Sequence, residues 1–517
     1  MTLPRWIAPG AIAFLVIWFL LMLAGRTSMF SDPGTFWHTR TGDIILAEGF
    51  IRTDPYTFTC PAFPDDRWWV PYQWLGEVGM SIAHRVGGFD TELLGAVTII
   101  AITFAFLSGG LLRTGLHPAA VGTLIALSLA AAGSHFHVRP HLVTTMGMAF
   151  TAAFLTDCDA GRFRLNRLFW LVPFFVVWVN VHGGYLGGFG TVVIAATGWV
   201  VFWWLGRPSP VQSWRDVGLL ALLVGCCGSA ALVNPYGTDM LKVWRVIMGE
   251  PILRKIIQEH SAFDIHAVYA MPLMCFAAVY LFVLVGARWR EVRVSWLLPL
   301  VWMLQTIDRC RHGTLFVAVG LVAIAAIWPH TRWAAWLAKS RPDFYEPDAP
   351  RVSRPWWASV WLPALVVLIS LGLQAGGVRV PVIGAGWAEH DPEQWPVDVL
   401  DAIKANEPRP GDPHNKVFND YVDGAFFIYH APGYKVFVDD RCEVFGGAWL
   451  LDLVKTGSPD TSPEVRAAAI ARWQETYGRF DFALTRTKSP FEEYFKAAPE
   501  WECVKRTDTA AFYRRRN

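Results

Sequence analysis

Asp32-Pro33-Gly34-Thr35-Phe36-Trp37-His38 follows directly on the first apolar run of the chain. The polar pattern continues through Thr41-Gly42-Asp43, Asp54-Pro55-Tyr56 and Trp74-Leu75-Gly76-Glu77. A carboxylate just outside a membrane helix is placed to take a proton from an acceptor hydroxyl as it attacks a membrane-held substrate. Asp32 is the first candidate for that base, with Asp54 and Glu77 as the other candidate catalytic acids. Trp37, His38 and Trp74 would hold the substrate beside them. Asp32-Pro33-Gly34 also fits a turn and N-cap that merely opens a helix, and both readings stand.

Further polar sets lie at the ends of later apolar runs. His137, Arg139 and His141 join the third and fourth runs, beside His135. Asn180 and His182 join the fifth and sixth, Asn234 and Tyr236 follow the seventh, and Glu259 lies in the loop behind them. Arg309, Arg311 and His312 join the ninth and tenth. Ionisable groups at membrane depth are costly and usually mark a substrate path. Arg139, Arg309 and Arg311 could grip a lipid phosphate through planar, bidentate hydrogen bonds, or could act as interfacial anchors. Trp faces and the Asn and His side chains would hold a sugar. The spacing His135-x-His137-x-Arg139-Pro140-His141 suggests a metal cluster, but it is not the i, i+4 pair of helical zinc sites.

These residues need a membrane scaffold to position them. Of the 517 residues, 53% are hydrophobic and 17% charged, with mean hydropathy +0.32. This is too apolar for an ordinary soluble domain. The net charge of +2 gives no reason to expect a nucleic-acid partner. Runs of the ~20 residues a span needs are expected at 9–26, 92–112, 118–134, 142–157, 168–181, 185–205, 216–233, 267–287, 294–307, 313–329 and 357–376. The fold class is therefore an α-helical polytopic membrane protein of about eleven spans. No small-residue cleavage site follows the first run, so it reads as a retained anchor. Many of the 27 Trp residues lie near the ends of apolar runs, as aromatic belts do.

Arg5, Arg113, Arg162, Arg207, Arg288, Arg332 and Arg354 fall in one set of short loops, which belongs in the cytoplasm. The N-terminus is then cytoplasmic, and the loop after the first span is outside. His38, His84, His135, His137, His141, His182, His260, His266 and His312 fall outside, and only His117 and His330 inside. The polar chemistry belongs to the outer face.

Residues 1–376 form the expected membrane domain, including the long outer loop 27–91. That loop reads as a helix to Glu48 ended by Gly49, a Pro- and Asp-rich turn segment, and an amphipathic helix from Trp68 to Val86. Residues 377–517 are far more polar. Strands are expected at Lys416–Phe418, Lys435–Val438, Phe480–Leu484, Glu502–Val504 and Ala510–Tyr513, with helices at 424–430, 447–456, 463–477 and 490–498. This is an extracytoplasmic α/β domain, attached by a loop-like linker around 380–395. Asp439-Asp440-Arg441 ends one strand and reads as structural. Cys442 and Cys503 share this domain as a permitted disulfide or as two thiols.

At these residues the chain resembles the GT-C superfamily of integral-membrane glycosyltransferases. It resembles more narrowly the bacterial relatives of dolichyl-phosphate-mannose protein mannosyltransferases and aminoarabinose transferases. The run Asp32, Trp37-His38, Gly42, Gly49, Asp54-Pro55 and Trp74-Leu75-Gly76-Glu77 carries the resemblance, with the tail run from Val417-Phe418-Asn419-Asp420 to Val438-Asp439-Asp440-Arg441. It implies a polyprenyl-phosphate-sugar donor, a glycan, lipid or protein acceptor, Asp32 as the catalytic acidic residue, and a multi-pass protein of the bacterial inner membrane. It requires no cofactor, and admits a divalent cation such as Mg or Mn. The usual pair of acids in the first loop is here Asp32-Pro33-Gly34, which leaves the second acid and any metal site unassigned. Two other functions fit the same layout: a non-catalytic binder of lipid-linked glycan or envelope-assembly scaffold, and a glycan polymerase or ligase using a lipid-pyrophosphate donor.

Overall fold

The computed structural model describes residues 4–249, 252, 261–347 and 354–516. The chain divides into two compact units. The first comprises Met1–Gly25, Val86–Gly237 and Glu259–Trp387, and the second Arg26–Arg85, Thr238–Gln258 and Ala388–Asn517.

The first unit is built of helices, because a lipid-facing backbone must satisfy its own hydrogen bonds. They include Pro9–Ser28, Pro118–Ala132, Leu142–Asp159, Leu171–Val181, Tyr185–Trp204, Trp214–Ser229, Ala270–Gly286, Val294–Asp308, Gly313–Ile327 and Trp361–Ala375. Trp74–Leu112 joins them beyond a break at Gly87 and Gly88, where the unit boundary also falls. Among the described residues, six helices are long and apolar enough to cross a membrane: Pro9–Ser28, Trp74–Leu112, Pro118–His135, Tyr185–Trp204, Trp214–Leu232 and Cys310–His330. Four more apolar helices, Leu165–Val181, Ala270–Gly286, Val294–Asp308 and Trp361–Ala375, are shorter. The chain is a multi-pass membrane protein, although length and composition support six crossings rather than the predicted eleven. Trp170, Trp204, Trp214, Trp289 and Trp356 stand exposed at helix ends, where a membrane interface would take them.

The predicted linker around 380–395 is not loose. The Asp90 carboxylate accepts from the backbone N–H groups of Gly386 (2.7 Å) and Trp387 (2.8 Å), and the Trp387 indole donates to the Met22 carbonyl at 2.7 Å. These bonds fix the end of the first unit. Within the second, Trp395 donates to the Phe30 carbonyl at 2.9 Å.

The second unit carries a five-stranded sheet of β1 (Lys416–Phe418), β2 (Lys435–Val436), β3 (Phe482–Arg486), β4 (Trp501–Arg506) and β5 (Ala510–Arg515). Their order is β2-β1-β3-β5-β4. β1 runs parallel to β2 and β3, and β5 antiparallel to β3 and β4. β2 stops earlier than predicted, and the outer loop runs along its open edge. Val436 N–H donates to the Tyr56 carbonyl (3.1 Å), Phe58 N–H to the Val436 carbonyl (3.2 Å), and the Thr59 hydroxyl to the Phe437 carbonyl (2.8 Å). The loop thereby covers an edge that would otherwise invite pairing. Phe418, Phe437, Phe480, Trp473 and Phe491 pack together beneath the sheet. Cys442 and Cys503 are free thiols, the first half-buried and the second exposed, so the disulfide alternative does not hold.

Helix Gly34–Glu48 ends at Gly49, as predicted. The next helix starts at Trp74 rather than at Trp68. Trp68 is bridged to Thr53, and Pro71 holds the residue before it out of helical conformation. Gly42 lets the two helices touch: a Cβ there would lie 2.1 Å from the Glu77 carbonyl oxygen.

Candidate functional site

In the second unit, Asp32 is buried just before helix Gly34–Glu48, and its Oδ1 accepts the Gly34 N–H at 2.7 Å. The turn reading is therefore realised, and it fixes the carboxyl at the start of the helix. One turn on, His38 Nδ1 meets Glu77 Oε1 at 3.0 Å, with both side chains fully enclosed. The Trp37 and His38 ring centroids are 3.6 Å apart. Trp74 packs edge-on against Phe50.

Asp54 sits in a different environment. Arg441 donates to Asp54 Oδ1 at 2.8 Å and to Asp439 Oδ2 at 2.6 Å, and all three side chains are wholly buried. Asp54 also accepts from the backbone N–H groups of Tyr56 (3.2 Å) and Thr57 (3.0 Å), and from Arg67 (3.2 Å). Burial raises the Asp54 carboxyl, but the Arg441 charge and the Thr57 hydrogen bond outweigh it and hold the pKa below the usual range. The Arg441 guanidinium lies 4.8 Å from the Tyr56 ring centroid and 4.5 Å from that of Trp69. Burial opposes its charge, yet Asp439 and Asp54 hold its pKa well above the ordinary value. Asp54 is thus fully engaged in joining the outer loop to the tail.

In the first unit, the predicted histidines converge. Ring centroids are 5.6 Å apart for His135 and His141, 6.3 Å for His137 and His141, and 6.2 Å for His141 and His182. His141 Nε2 lies 2.7 Å from the His135 carbonyl, so it carries the proton. Burial first, then His135 and Arg139, push the His141 pKa well below its ordinary value. His182 Nδ1 accepts the Gly184 N–H at 2.9 Å and faces the Thr144 hydroxyl at 2.8 Å, and the Trp178 indole donates to that hydroxyl at 3.1 Å. The proton of a neutral His182 is therefore on Nε2. The Thr314 hydroxyl donates to the Ala132 carbonyl at 3.4 Å, which brings the start of the tenth apolar run beside the end of the third.

Other predicted residues have structural partners. Asn180 donates to the carbonyls of Val176 (2.7 Å) and Val233 (2.9 Å). Asn234 accepts the Tyr236 N–H at 2.8 Å in a tight turn, and Tyr236 is buried. Glu259 lies outside the described residues. Among the described residues, no three His, Cys, Asp or Glu side chains are arranged to hold a metal ion. His141 Nε2 is committed to the His135 carbonyl and His182 Nδ1 to the Gly184 N–H, which leaves neither nitrogen for a metal. Thr144 and Trp178, which orient His182, carry no sequence signal. Arg441 had one, at a strand end, but its partner Asp54 lies 387 positions earlier.

No family model matches the chain, and no curated protein matches it. Solved structures do. The oligosaccharyltransferase of Archaeoglobus fulgidus in its apo form aligns at TM-score 0.51 and 12% identity, over 92% of this chain and 69% of that one. The same organism's oligosaccharyltransferase AglB, in complex with an inhibitory peptide and a dolichol-phosphate, aligns at TM-score 0.52 and 12% identity over the same shares. ArnT from Cupriavidus metallidurans, bound to undecaprenyl phosphate, aligns at TM-score 0.49 and 14% identity over 98% and 97%. The chain thus shares its fold with the archaeal oligosaccharyltransferase.

Proposed function

We propose that the chain is a glycosyltransferase that moves a sugar from a polyprenyl-phosphate carrier to a lipid, glycan or protein acceptor at the outer membrane face. The observation that carries this reading is a buried acidic residue, Asp32, fixed at the start of the first-loop helix in a chain of GT-C fold. The dolichol-phosphate held by the archaeal oligosaccharyltransferase supports the donor class. In this reading the Asp32 carboxylate takes the proton from the acceptor nucleophile as it attacks the anomeric carbon, and the carrier phosphate departs with the bonding pair. Arg139, Arg309 and Arg311 of the first unit are the cations proposed to meet a lipid phosphate. Asp54 and Glu77 hold the first loop in shape. The arginine-rich loops support a cytoplasmic N-terminus, and an odd number of crossings would then put the tail outside.

The test is transfer of radiolabelled sugar from a panel of polyprenyl-monophosphate sugars by the purified protein, beside Asp32→Asn. The variant should lose roughly 10²–10⁴-fold in rate, as loss of a general base does, with an unchanged melting temperature. Equal transfer by both proteins removes Asp32 from the chemistry. Tight donor binding with no transfer by either would favour a non-catalytic binder.

A further inference from the structure

Three loops and a helix end interlock at one end of the first unit. The Arg207 guanidinium donates to the Trp289 carbonyl at 2.7 Å. Ala287 bridges Thr331, and Arg288 N–H donates to the His330 carbonyl at 3.4 Å. Arg293 donates to the Asp159 carbonyl, and Ser295 N–H to the Asp159 carboxylate at 2.8 Å. The loops after helices Tyr185–Trp204, Ala270–Gly286 and Gly313–Ile327, with the end of Leu142–Asp159, thus make one platform.

The platform holds more cations than acids. The Arg207 guanidinium lies 4.7 Å from the Trp289 ring centroid and 5.9 Å from that of Phe202. Its only side-chain acceptor among the described residues is the neutral Trp289 carbonyl. Arg332 lies 4.3 Å from the Trp333 ring centroid. Among the described residues, neither it nor Arg290 has a carboxylate within ion-pair distance. Glu291 is the acid between them, and it is already shared by Arg288 at 3.4 Å and His330 at 2.7 Å. The His330 hydrogen bond holds its carboxyl below the usual range, so it stays charged and matched.

The same end presents indole rings. Trp204, Trp214, Trp289 and Trp336 are exposed there, and Trp settles at headgroup depth because its ring is apolar and its N–H is wet. Helix Arg332–Ser340 is capped by Thr331, whose hydroxyl accepts the Ala334 N–H at 3.0 Å. Trp333 stacks on Phe282, with centroids 4.8 Å apart, and its indole donates to the Phe282 carbonyl at 3.2 Å. A Cβ at Gly286 would lie 2.2 Å from the Trp333 indole nitrogen, so that glycine lets the helix sit close. Ala334 is buried, while Arg332, Trp336 and Lys339 stand exposed. A short helix with one side docked and Arg, Trp and Lys outward suits the plane of a membrane interface.

We propose that this platform is the surface on which the protein engages anionic phospholipid headgroups of the adjoining leaflet, with helix Arg332–Ser340 lying in the interface. Arg207 and Arg332 donate to headgroup phosphates, and Trp289 and Trp336 sit among the headgroups beside them. The surplus of cations selects an anionic lipid over a zwitterionic one. Arg207 is held in advance by two rings and a carbonyl, so it loses less freedom on binding than a loose side chain would. The surface is independent of the glycosyltransferase reading.

The test is native mass spectrometry of the full-length protein, purified from vesicles of equimolar phosphatidylglycerol and phosphatidylcholine. Wild type should retain phosphatidylglycerol in preference by roughly tenfold, and Arg207→Gln and Arg332→Gln should each lower that preference by up to roughly fivefold. The Arg332 side chain meets only the Trp333 ring, so its variant should keep the wild-type melting temperature. Arg164→Gln/Arg167→Gln removes two cations that lie outside the platform in sequence, and should leave the preference unchanged. No preference in wild type, or a preference unchanged in both Arg207→Gln and Arg332→Gln, would overturn the proposal. An equal loss in the Arg164→Gln/Arg167→Gln protein would overturn it too, by assigning the preference to overall charge.

Discussion

Three acids of one loop region end in three environments. Asp32 is tied to a helix start, Glu77 to His38, and Asp54 to two arginines. Composition and spacing could not separate them, because each needs a partner brought from far along the chain or from a turn geometry. Arg441→Met leaves Asp439 buried without its cation and Asp54 with Arg67 alone, and should cost about 3–5 kcal/mol, seen as a lower melting temperature of the full chain. Asp54→Asn should also lower it, whereas Asp32→Asn should not. The Asp54 pKa is depressed in the fold, so its contribution is present above the unfolded carboxylate pKa and is lost as pH falls through the lower folded value. Melting curves below pH about 4 should therefore be shallower in Asp54→Asn than in wild type.

At the scale of elements, the first-loop helix is the part that positions Asp32, and its seating depends on one small residue. Gly42→Ala places a methyl against the Glu77 backbone, and should cost about 1–3 kcal/mol and reduce transfer with it. The opposite side of this helix meets a cluster of rings: Phe36 stands 5.1 Å from His390 and 5.4 Å from His430. Burial, then the neighbouring His84, lowers His390 to about 4, and burial, then His390, Lys404 and His84, lowers His430 to about 3. The unfolded chain binds these protons first, so acidification from pH about 6.5 to 4 destabilises the fold. Asp420 and Asp423, raised by burial to about 6 and about 7, act in the opposite sense over the same range. The double variant His390→Gln/His430→Phe isolates the histidine contribution. Its melting temperature should fall less than that of wild type on going from pH 7 to 5, and an identical fall would refute the assignment.

At the scale of the molecule, most of the outer loop and the tail fall in one compact unit. Residues 388–516 made alone would lack the loop that covers β2 and the Asp54 carboxylate that balances Arg441. They should exchange amide hydrogens rapidly at Lys435–Val436, where the full-length protein is protected. The membrane character, every apolar helix, the ends at Gly49 and the order of strands and helices in the tail were legible in the sequence. Each depends on local composition and period, which the backbone reads within a few residues. The order of apolar runs, outer loop and polar tail was legible for the same reason. The union of Arg26–Arg85 with the tail, the capture of Asp54 by Arg441 and the Thr144–His182–Trp178 arrangement were decided only by tertiary structure. Each joins residues tens to hundreds of positions apart, and no local pattern records which buried charge or edge strand will find which partner.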